Sequence, residues 1–167
     1  MTADAVLALF RQSGALLEGH FKLSSGLHSN RYLQSALVLQ HPEQAAQLGR
    51  AIAESVRSLR PNVVLSPALG GIVIGQETGR ALGVRAIFAE RADGKLTLRR
   101  GFHLSAEDRV VVVEDVLTTG GSTLETMEVA TAAGAEVVAA ASIIDRGSQS
   151  GRLNVPFFSL VKPGSRM

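Results

Sequence analysis

Two stretches of the chain have the same order of segments, and this repeat constrains the fold more than any other feature of the sequence. The apolar run "NVVLS" leads into the glycine-rich "PALGG" and a helical "IVIGQETGRALG". The run "RVVVVED" leads into "VLTTGG" and a helical "STLETMEVATAAG", and "AEVVAAASIID" adds a further strand. Buried strands that alternate with helices are typical of a mostly parallel sheet flanked by helices. We therefore predict a Rossmann-like α/β fold that forms a single domain over residues 1–167.

The N-terminal part of the chain predicts smaller elements. Thr2 is a suitable N-cap for a first helix whose apolar residues share one face up to about Gly19. The stretch "HFKLSSGLHSNRYLQ" alternates apolar and polar residues around a Ser-Ser-Gly turn, which indicates short strands joined by a loop. A second helix is expected from Pro42 to Leu59, because proline favours the first turn of a helix and Pro61 ends it.

The composition favours a globular protein that works in the cytoplasm. Hydrophobic residues make up 46% of the sequence, and no apolar stretch approaches the roughly 20 residues that cross a bilayer. The N-terminus lacks the basic region that begins a secretory signal. Because the sequence contains no cysteine, it excludes disulfides, thiolate zinc sites and a cysteine nucleophile.

The charge balance gives little support to a nucleic-acid partner. Lysine and arginine outnumber aspartate and glutamate by only 17 to 15, for a net charge of +2. The positive charge is concentrated in one short stretch, which contains Arg85, Arg91, Lys95, Arg99 and Arg100. Such a cluster suits a small anionic ligand as well as a polymer.

The loop "TTGGS", residues 118–122, has the composition of a phosphate-binding loop. Glycines let backbone N–H groups converge, the following helix adds the positive end of its dipole, and the hydroxyl residues add donors. The loop lacks the Gly-Lys-Ser/Thr ending of a Walker loop and does not match the GxGxxG fingerprint. The glycines alone leave open an ordinary turn between a strand and a helix.

Glu114 and Asp115 are separated from this loop only by Val116 and Leu117, and they narrow the choice of ligand. Two carboxylates at the end of a buried strand need polar partners, and they repel a phosphate placed beside them. A sugar diol satisfies them, because each carboxylate accepts hydrogen bonds from hydroxyls while the phosphate lies further along the loop. A ribose 5-phosphate has this layout.

Four segments carry a resemblance to a known family. "VVVVEDVLTTGGS", residues 110–122, resembles the phosphoribosyl pyrophosphate (PRPP) motif of type I phosphoribosyltransferases. "FKLSSGLHSNRYLQ", "SPALGGIVIG" and "ERADGKLTLRRGF" are similar to the base-binding segment, pyrophosphate loop and lid of orotate phosphoribosyltransferases. The resemblance implies the type I phosphoribosyltransferase fold, with a small N-terminal hood at about residues 19–40 and a flexible lid loop at about residues 90–102. It also implies transfer of the 5-phosphoribosyl group from PRPP to orotate, giving orotidine 5′-monophosphate and pyrophosphate in de novo pyrimidine (UMP) biosynthesis.

The resemblance assigns the PRPP site residue by residue. Glu114 and Asp115 would hold the ribose hydroxyls, and the backbone from Thr119 to Ser122 the 5′-phosphate. The full set of implied PRPP-binding residues is Ala68, Leu69, Gly70, Gly71, Arg91, Lys95, Glu114, Asp115, Val116, Leu117, Thr118, Thr119, Gly120, Gly121 and Ser122. In relatives the loop at residues 68–71 often contains a cis peptide bond that does not precede proline.

The implied orotate site centres on Arg146. A guanidinium binds a carboxylate through two hydrogen bonds, and orotate carries a carboxylate. The alternative is an ordinary surface arginine after a strand. The other implied orotate residues are Thr118, Ser24, Ser25, Gly26 and Tyr32, although Tyr32 is also consistent with a place in the core.

The catalytic cation is the least constrained part of the resemblance. Many relatives have lysines where Ser24 and Gly70 stand, and a longer lid with a "KxxKxH" pattern, none of which occurs here. We take Lys95 as the catalytic cation, followed by Arg91. Asp115 joins them as a holder of the ribose more than as a base, since orotate is already an anion. Arg99 and Arg100 either serve the lid or belong to a solvated basic hairpin.

The cofactor and partners follow from the same resemblance. Mg²⁺ is expected to bind through substrate oxygens and water, so no protein metal ligand is predicted, and the four histidines have no metal-ligand spacing. A homodimer that shares its lids between subunits is implied, with no nucleic-acid or membrane partner. Two alternatives remain open: a phosphoribosyltransferase for a purine or other base, and a PRPP-sensing regulator that binds nucleic acid.

Overall fold

The computed structural model describes residues 1–22, 28–147 and 150–163, and for residues 17–22 and 28–32 it describes the backbone alone. A six-stranded sheet forms the centre of the molecule. Its strands are β3 (Val63–Pro67), β4 (Arg85–Ala92), β5 (Lys95–Leu98), β6 (Arg109–Leu117), β7 (Glu136–Asp145) and β8 (Phe157–Val161). Their order is β5-β4-β3-β6-β7-β8, and every pair except β4 with β5 is parallel. The predicted mostly parallel α/β sheet is confirmed.

A separate two-stranded hairpin precedes this sheet. Strands β1 (Leu16–Lys22) and β2 (His28–Leu33) pair in an antiparallel fashion. The short strands expected from the alternating N-terminal pattern are therefore present. The main-chain N–H of Gln34 donates to the carbonyl of Ala15 at 2.7 Å, which ties the two ends of the hairpin together.

Five helices surround the strands in the described part of the chain. They are α1 (Ala3–Gln12), α2 (Ala36–Leu39), α3 (Pro42–Val56), α4 (Ile72–Leu82) and α5 (Gly121–Ala132). Short 3₁₀ turns occupy Arg57–Leu59 and Ser150–Leu153. The expected helix from Pro42 to Leu59 is thus α3 with a 3₁₀ turn at its end. Within the described ranges, no helix has the length and apolar character needed to cross a membrane.

The first helix ends earlier than the sequence pattern predicts. The Thr2 hydroxyl accepts the N–H of Ala5 at 3.1 Å, as expected of an N-cap. However, α1 ends at Gln12 instead of near Gly19, because Gly14 has a φ of 74° and turns the chain in the left-handed region. The apolar residues after that turn belong to β1, where they continue the pattern by coincidence.

The central strand β6 separates two hydrophobic clusters. Val111 and Val113 pack in the cluster that contains the buried residues of α1, α3 and α4, whereas Val110 and Val112 pack in the cluster on the α5 side. All four valines are 0% exposed. Because side chains alternate along a strand, a strand buried on both faces requires an unbroken apolar run. This explains why "VVVV" precedes the two acids.

The segment predicted as a lid is folded as a hairpin. The end of β4, the turn at Asp93 and Gly94, and β5 together occupy most of it. Asp93 and Gly94 have φ values of 52° and 79°, as a type I′ turn requires. The hairpin forms one edge of the main sheet.

Candidate active site

Three loops meet at the carboxyl edge of the sheet. Residues 68–71 follow β3, residues 118–120 follow β6, and Arg146 follows β7. Because β6 pairs with β3 on one side and β7 on the other, these loops are neighbours. The main-chain N–H of Arg146 donates to the carbonyl of Leu117 at 2.9 Å. The structure therefore brings the predicted pyrophosphate loop, the PRPP motif and Arg146 to one place, where ligands bind in open α/β sheets.

The phosphate loop turns sharply before α5. Gly120 has a φ of 87°, which glycine adopts without steric cost, and α5 begins at the next residue. The N–H of Gly121 donates to the Thr119 hydroxyl oxygen at 3.3 Å, and the Arg152 guanidinium donates to the Thr119 carbonyl. The first amides of α5 and the positive end of its dipole therefore form a seat for an anion.

The carboxylate of Glu114 is held by the first turn of α5. The Ser122 hydroxyl donates to Glu114 Oε1 at 2.6 Å, and the Thr123 hydroxyl donates to Glu114 Oε2. Burial raises the pKa of Glu114 above its ordinary value, the two hydroxyls lower it, and the charge of Asp115 raises it. The strand end and the helix start are thus joined through one carboxylate, which can accept hydrogen bonds from ligand hydroxyls.

Asp115 lies against the pyrophosphate loop. Its Oδ1 accepts the N–H of Val116 at 2.8 Å. A Cβ placed on Gly70 would lie 2.9 Å from Asp115 Oδ2, so only glycine fits there while Asp115 keeps this orientation. Both residues line a cleft of about 400 Å³. The same cleft is lined by Gln34, Ala36, Leu39, Gln40, Leu69 and Val73.

The loop after β3 also contains an unusual peptide bond, between Ala68 and Leu69, which is cis. The side chain of Leu69 is 84% exposed and faces the cleft instead of the core. The main-chain N–H of Gly71 donates to the carbonyl of Pro67 at 3.1 Å, and α4 begins directly afterwards.

The middle of the PRPP motif contributes mainly through its backbone. Leu117 is 1% exposed, and Val116 packs against the hydrophobic cluster of α1, α3 and α4. Their side chains therefore belong to the core, while the Leu117 carbonyl holds Arg146. Thr118, the next residue, is exposed at the start of the loop and is accessible to a ligand.

The turn that carries Arg146 is fixed on both sides. Asp145 is only 3% exposed, and its Oδ1 accepts the N–H of Gly147 at 3.1 Å. This contact closes a local turn around Arg146, whose own N–H is bound to β6. Arg146 as a whole is half-buried and directly follows β7.

The cations predicted for the lid lie on the β4–β5 hairpin. Arg91 binds Glu125 of α5 through two hydrogen bonds of 2.9 and 3.0 Å, and it also donates to the carbonyl of Gly94 at 3.1 Å. The hydrogen bond from Arg91 holds the pKa of Glu125 below its ordinary value, and Glu125 raises the pKa of Arg91. Lys95 lines a cleft of about 280 Å³ between β5 and α5, beside Glu125.

The two following arginines share one carboxylate. Arg99 and Arg100 lie 3.6 and 3.0 Å from the oxygens of Glu90. Arg100 also lies over the ring of Phe88, with its guanidinium carbon 5.8 Å from the ring centroid. In this conformation both arginines are part of the hairpin surface.

Three predicted orotate-binding residues, Ser24, Ser25 and Gly26, lie outside the described residues. The backbone of Tyr32 is part of β2, but its side chain is likewise outside the description.

Two residues of the site were missed by the sequence reasoning. Thr123 follows the PRPP motif directly, and its proximity to the two acids across a strand–loop–helix turn is a signal that could have identified it. Arg152 lies 33 residues from its partner Thr119, and nothing in the local sequence indicates the contact.

The parallel sheet, the paired acids and the glycine loop at its carboxyl edge define a phosphoribosyltransferase, and the family described as "Phosphoribosyl transferase domain" matches residues 35–163. An orotate phosphoribosyltransferase of Chlorobium phaeobacteroides is 53% identical over 161 residues, which cover 96% of this chain and 83% of the relative. An orotate phosphoribosyltransferase of Heliobacterium modesticaldum is 54% identical over 161 residues, which cover 95% of this chain and 84% of the relative. The chain belongs to the orotate phosphoribosyltransferase family.

A solved structure supports the same assignment at the level of the fold. The orotate phosphoribosyltransferase of Aeropyrum pernix is 26% identical, with a TM-score of 0.78 and coverage of 97% of this chain and 93% of the other. The predicted type I phosphoribosyltransferase fold is confirmed.

Proposed function

We propose that this chain transfers the 5-phosphoribosyl group from PRPP to orotate, giving orotidine 5′-monophosphate and pyrophosphate. The observation that supports the proposal is the main-chain hydrogen bond from the N–H of Arg146 to the carbonyl of Leu117, which holds the backbone of Arg146 next to the start of the phosphate loop. A carboxylate-bearing base can bind there next to a ribose 5-phosphate. The high identity to orotate phosphoribosyltransferases supports the same substrate.

The strand end and the glycine loop would hold the sugar. Glu114 and Asp115 accept hydrogen bonds from the ribose hydroxyls, and the amides from Thr119 to Ser122 bind the 5′-phosphate. With the phosphate fixed, the ribose carbon breaks its bond to the pyrophosphate oxygen and forms a bond to the orotate ring nitrogen, moving between two immobilised groups. The proton of that nitrogen passes to the departing pyrophosphate. The ribose passes through a state with positive charge on its ring, similar in kind to that of glycoside hydrolysis.

Pyrophosphate would leave across the loop at residues 68–71, where Leu69 and Gly70 line the cleft together with Asp115. No group of three or more His, Asp or Glu residues in the described ranges is arranged to hold a metal ion. We expect Mg²⁺ to bind through substrate oxygens and water. When bound, Mg²⁺ supplies positive charge to the leaving pyrophosphate.

The lid cations complete the proposal. Lys95 is our first candidate to contact pyrophosphate and Arg91 the second. Arg91 would have to exchange Glu125 for the pyrophosphate, since its guanidinium is occupied by that carboxylate. The hairpin must also exclude water, which would otherwise capture the activated ribose.

The assembly and location are proposed on the family resemblance. We expect a homodimer in which the lid of one subunit completes the site of the other, working in the cytoplasm. Sedimentation of the purified protein tests the dimer, and complementation between a Lys95→Ala and an Arg146→Ala subunit tests the shared site.

A phosphoribosyl-transfer assay with different bases tests which base is the substrate. Purified protein with Mg²⁺ and PRPP is mixed separately with orotate, uracil, adenine and hypoxanthine, and loss of base absorbance is followed. We expect turnover of orotate alone. If the protein consumed a purine but not orotate, it would be a phosphoribosyltransferase for another base. If it bound PRPP tightly and consumed none of the bases, the result would favour the nucleic-acid-binding regulator.

Replacement of Arg146 tests the base site directly. Arg146→Ala should raise the KM for orotate at least about tenfold, because a carboxylate loses a charged hydrogen-bonding partner, and should change the KM for PRPP much less. Equal losses for the two substrates would show that Arg146 does not bind the orotate carboxylate.

A further inference from the structure

Both oxygens of the Glu114 carboxylate are occupied by hydroxyls of α5. Ser122 donates to Oε1 at 2.6 Å, and Thr123 donates to Oε2. The two donors are consecutive residues, yet their surroundings differ. Thr123 is 2% exposed, whereas Ser122 is half-buried at the phosphate loop.

This difference matters because each hydroxyl has one proton to donate. Ser122 belongs to the loop that would bind the 5′-phosphate, so a bound phosphate competes with Glu114 for the Ser122 proton. When the Ser122 hydroxyl turns to the phosphate, Glu114 loses one of its two partners. Thr123 is buried away from the ligand and has no such competing acceptor in the described site.

We propose that Thr123 is a positioning residue, which keeps the Glu114 carboxylate directed at the ribose hydroxyls when Ser122 turns to the 5′-phosphate. The inference rests on the proposed function, since it requires a phosphorylated ribose in this site. Thr123 acts through Glu114 and does not itself contact the substrate.

Glu114 needs the hydrogen bond from Thr123 because its surroundings favour the protonated carboxyl group. Burial raises the pKa of Glu114, and the negative charge of Asp115 acts in the same direction, while the hydroxyls of Ser122 and Thr123 oppose both. The ionised carboxylate is the form that accepts two hydroxyl hydrogen bonds. Loss of Thr123 would therefore favour the protonated form at the stage when PRPP binds.

The test compares three variants by titration calorimetry with PRPP and Mg²⁺, without any base. Thr123→Val keeps the shape of the side chain and removes the hydroxyl, so we expect about tenfold weaker binding of PRPP. Thr123→Ser restores the donor and should bind PRPP within about twofold of the wild type. Thr126→Val is the matched control, because Thr126 is also fully buried on α5 but donates to the carbonyl of Ser122 at 2.7 Å.

The pH dependence separates positioning from packing. In Thr123→Val, the loss of PRPP affinity on acidification should begin at higher pH than in the wild type and in Thr126→Val. Equal effects of Thr123→Val and Thr126→Val, or wild-type affinity in Thr123→Val, would overturn the proposal. If the wild type binds PRPP but does not consume orotate, the proposed substrate fails while the Thr123 comparison still decides the role of this residue.

Discussion

Gly70, in the loop after β3, and Asp115, near the end of β6, lie close together at the proposed pyrophosphate site. A Cβ at position 70 would lie 2.9 Å from Asp115 Oδ2, so Gly70→Ala should turn the Asp115 carboxylate away from the ribose. We expect at least about a tenfold rise in the KM for PRPP. The melting temperature should change little, because Gly70 is exposed. Steady-state kinetics and thermal unfolding check the two expectations.

Gly151→Ala is the control for this substitution, since a Cβ there meets no atom within 4 Å and its φ lies outside the left-handed region. If both alanines changed the PRPP affinity equally, the contact with Asp115 would not be the cause.

The buried carboxylate of Glu114 has a cost in stability. Because burial raises its pKa, the folded protein holds this proton more tightly than the unfolded chain does. The free energy of unfolding therefore falls as the pH rises through the pKa that Glu114 has in the folded protein. At neutral pH it remains lower than it is in acid, as far as this group is concerned. Glu114→Gln should raise the melting temperature at pH 7, with a smaller gain in acid, while weakening PRPP binding at least about tenfold.

Thermal scans of Glu114→Gln at several pH values, with PRPP titrations beside them, measure both effects. Glu54→Gln is the control, because Glu54 forms an exposed surface pair with Arg57. A variant at position 114 that melts below the wild type at pH 7 would contradict the assigned role of burial.

Arg152 supports the phosphate loop from outside the PRPP motif. Its guanidinium holds the Thr119 carbonyl, so Arg152→Ala should loosen the loop and weaken binding of ribose 5-phosphate by about threefold to tenfold. Pyrophosphate binding should be unchanged, because the loop at residues 68–71 is separate. Calorimetry with each ligand distinguishes the two sites.

Arg57→Ala is the matched control for Arg152, because Arg57 also donates to a main-chain carbonyl, that of Ala81, at 3.5 Å. Its replacement should leave both ligands unaffected. Parallel losses of ribose 5-phosphate and pyrophosphate in Arg152→Ala would indicate a general disturbance and count against a local role.

At the scale of residues, the sequence predicts what is contiguous and misses what folding brings together. Glu114, Asp115 and the glycine loop are close together along the chain, so the sequence could indicate that they share one binding site. The contacts of Gly70 with Asp115 and of Arg152 with Thr119 join residues 45 and 33 positions apart. Without the strand order, no pattern in the sequence indicates such pairs.

At the scale of elements, the β4–β5 hairpin is attached to α5 through Glu125. This carboxylate binds Arg91 twice and also accepts the N–H of Leu96 at 3.4 Å. The same helix begins at the phosphate loop, so one element joins the proposed lid to the proposed phosphate site. The sequence indicated a basic segment here, but it did not reveal which acid the cations would meet.

Glu125→Gln and Arg91→Ala should have different effects on the reaction. If Arg91 serves as a lid cation, Arg91→Ala lowers kcat about tenfold or more, whereas Glu125→Gln frees Arg91 and keeps kcat within about twofold. Both variants should speed hydrogen exchange at the Leu96 amide, because each weakens the attachment of the hairpin. Mass spectrometry of exchange and single-turnover kinetics measure the two properties.

Equal loss of kcat in the two variants would mean that the ion pair itself is required and that Arg91 does not leave it. The melting temperature should change little in either variant, since the pair is exposed and screened by salt.

The boundaries of the elements were predictable only where the chain carries strong signals. Pro42 marks the start of α3, and Pro61 lies two residues after the 3₁₀ turn that follows this helix. The repeated strand–loop–helix order predicted the parallel sheet. The predicted end of α1 was wrong, because the apolar spacing continues past Gly14 into β1. A helical and an extended pattern overlap there, and only the backbone at Gly14 distinguishes them.

At the scale of the whole molecule, β6 belongs to both hydrophobic clusters, and the acids of the site stand at its end. Neither face of the sheet can lose its packing while the other keeps it, so the described sheet and its helices should unfold in one cooperative step. The temperature of half-inactivation should therefore equal the melting temperature followed by circular dichroism. Activity lost well below that temperature would show that the site melts before the sheet. For a cell, this arrangement means that heat leaves few folded but inactive molecules able to bind PRPP without using it.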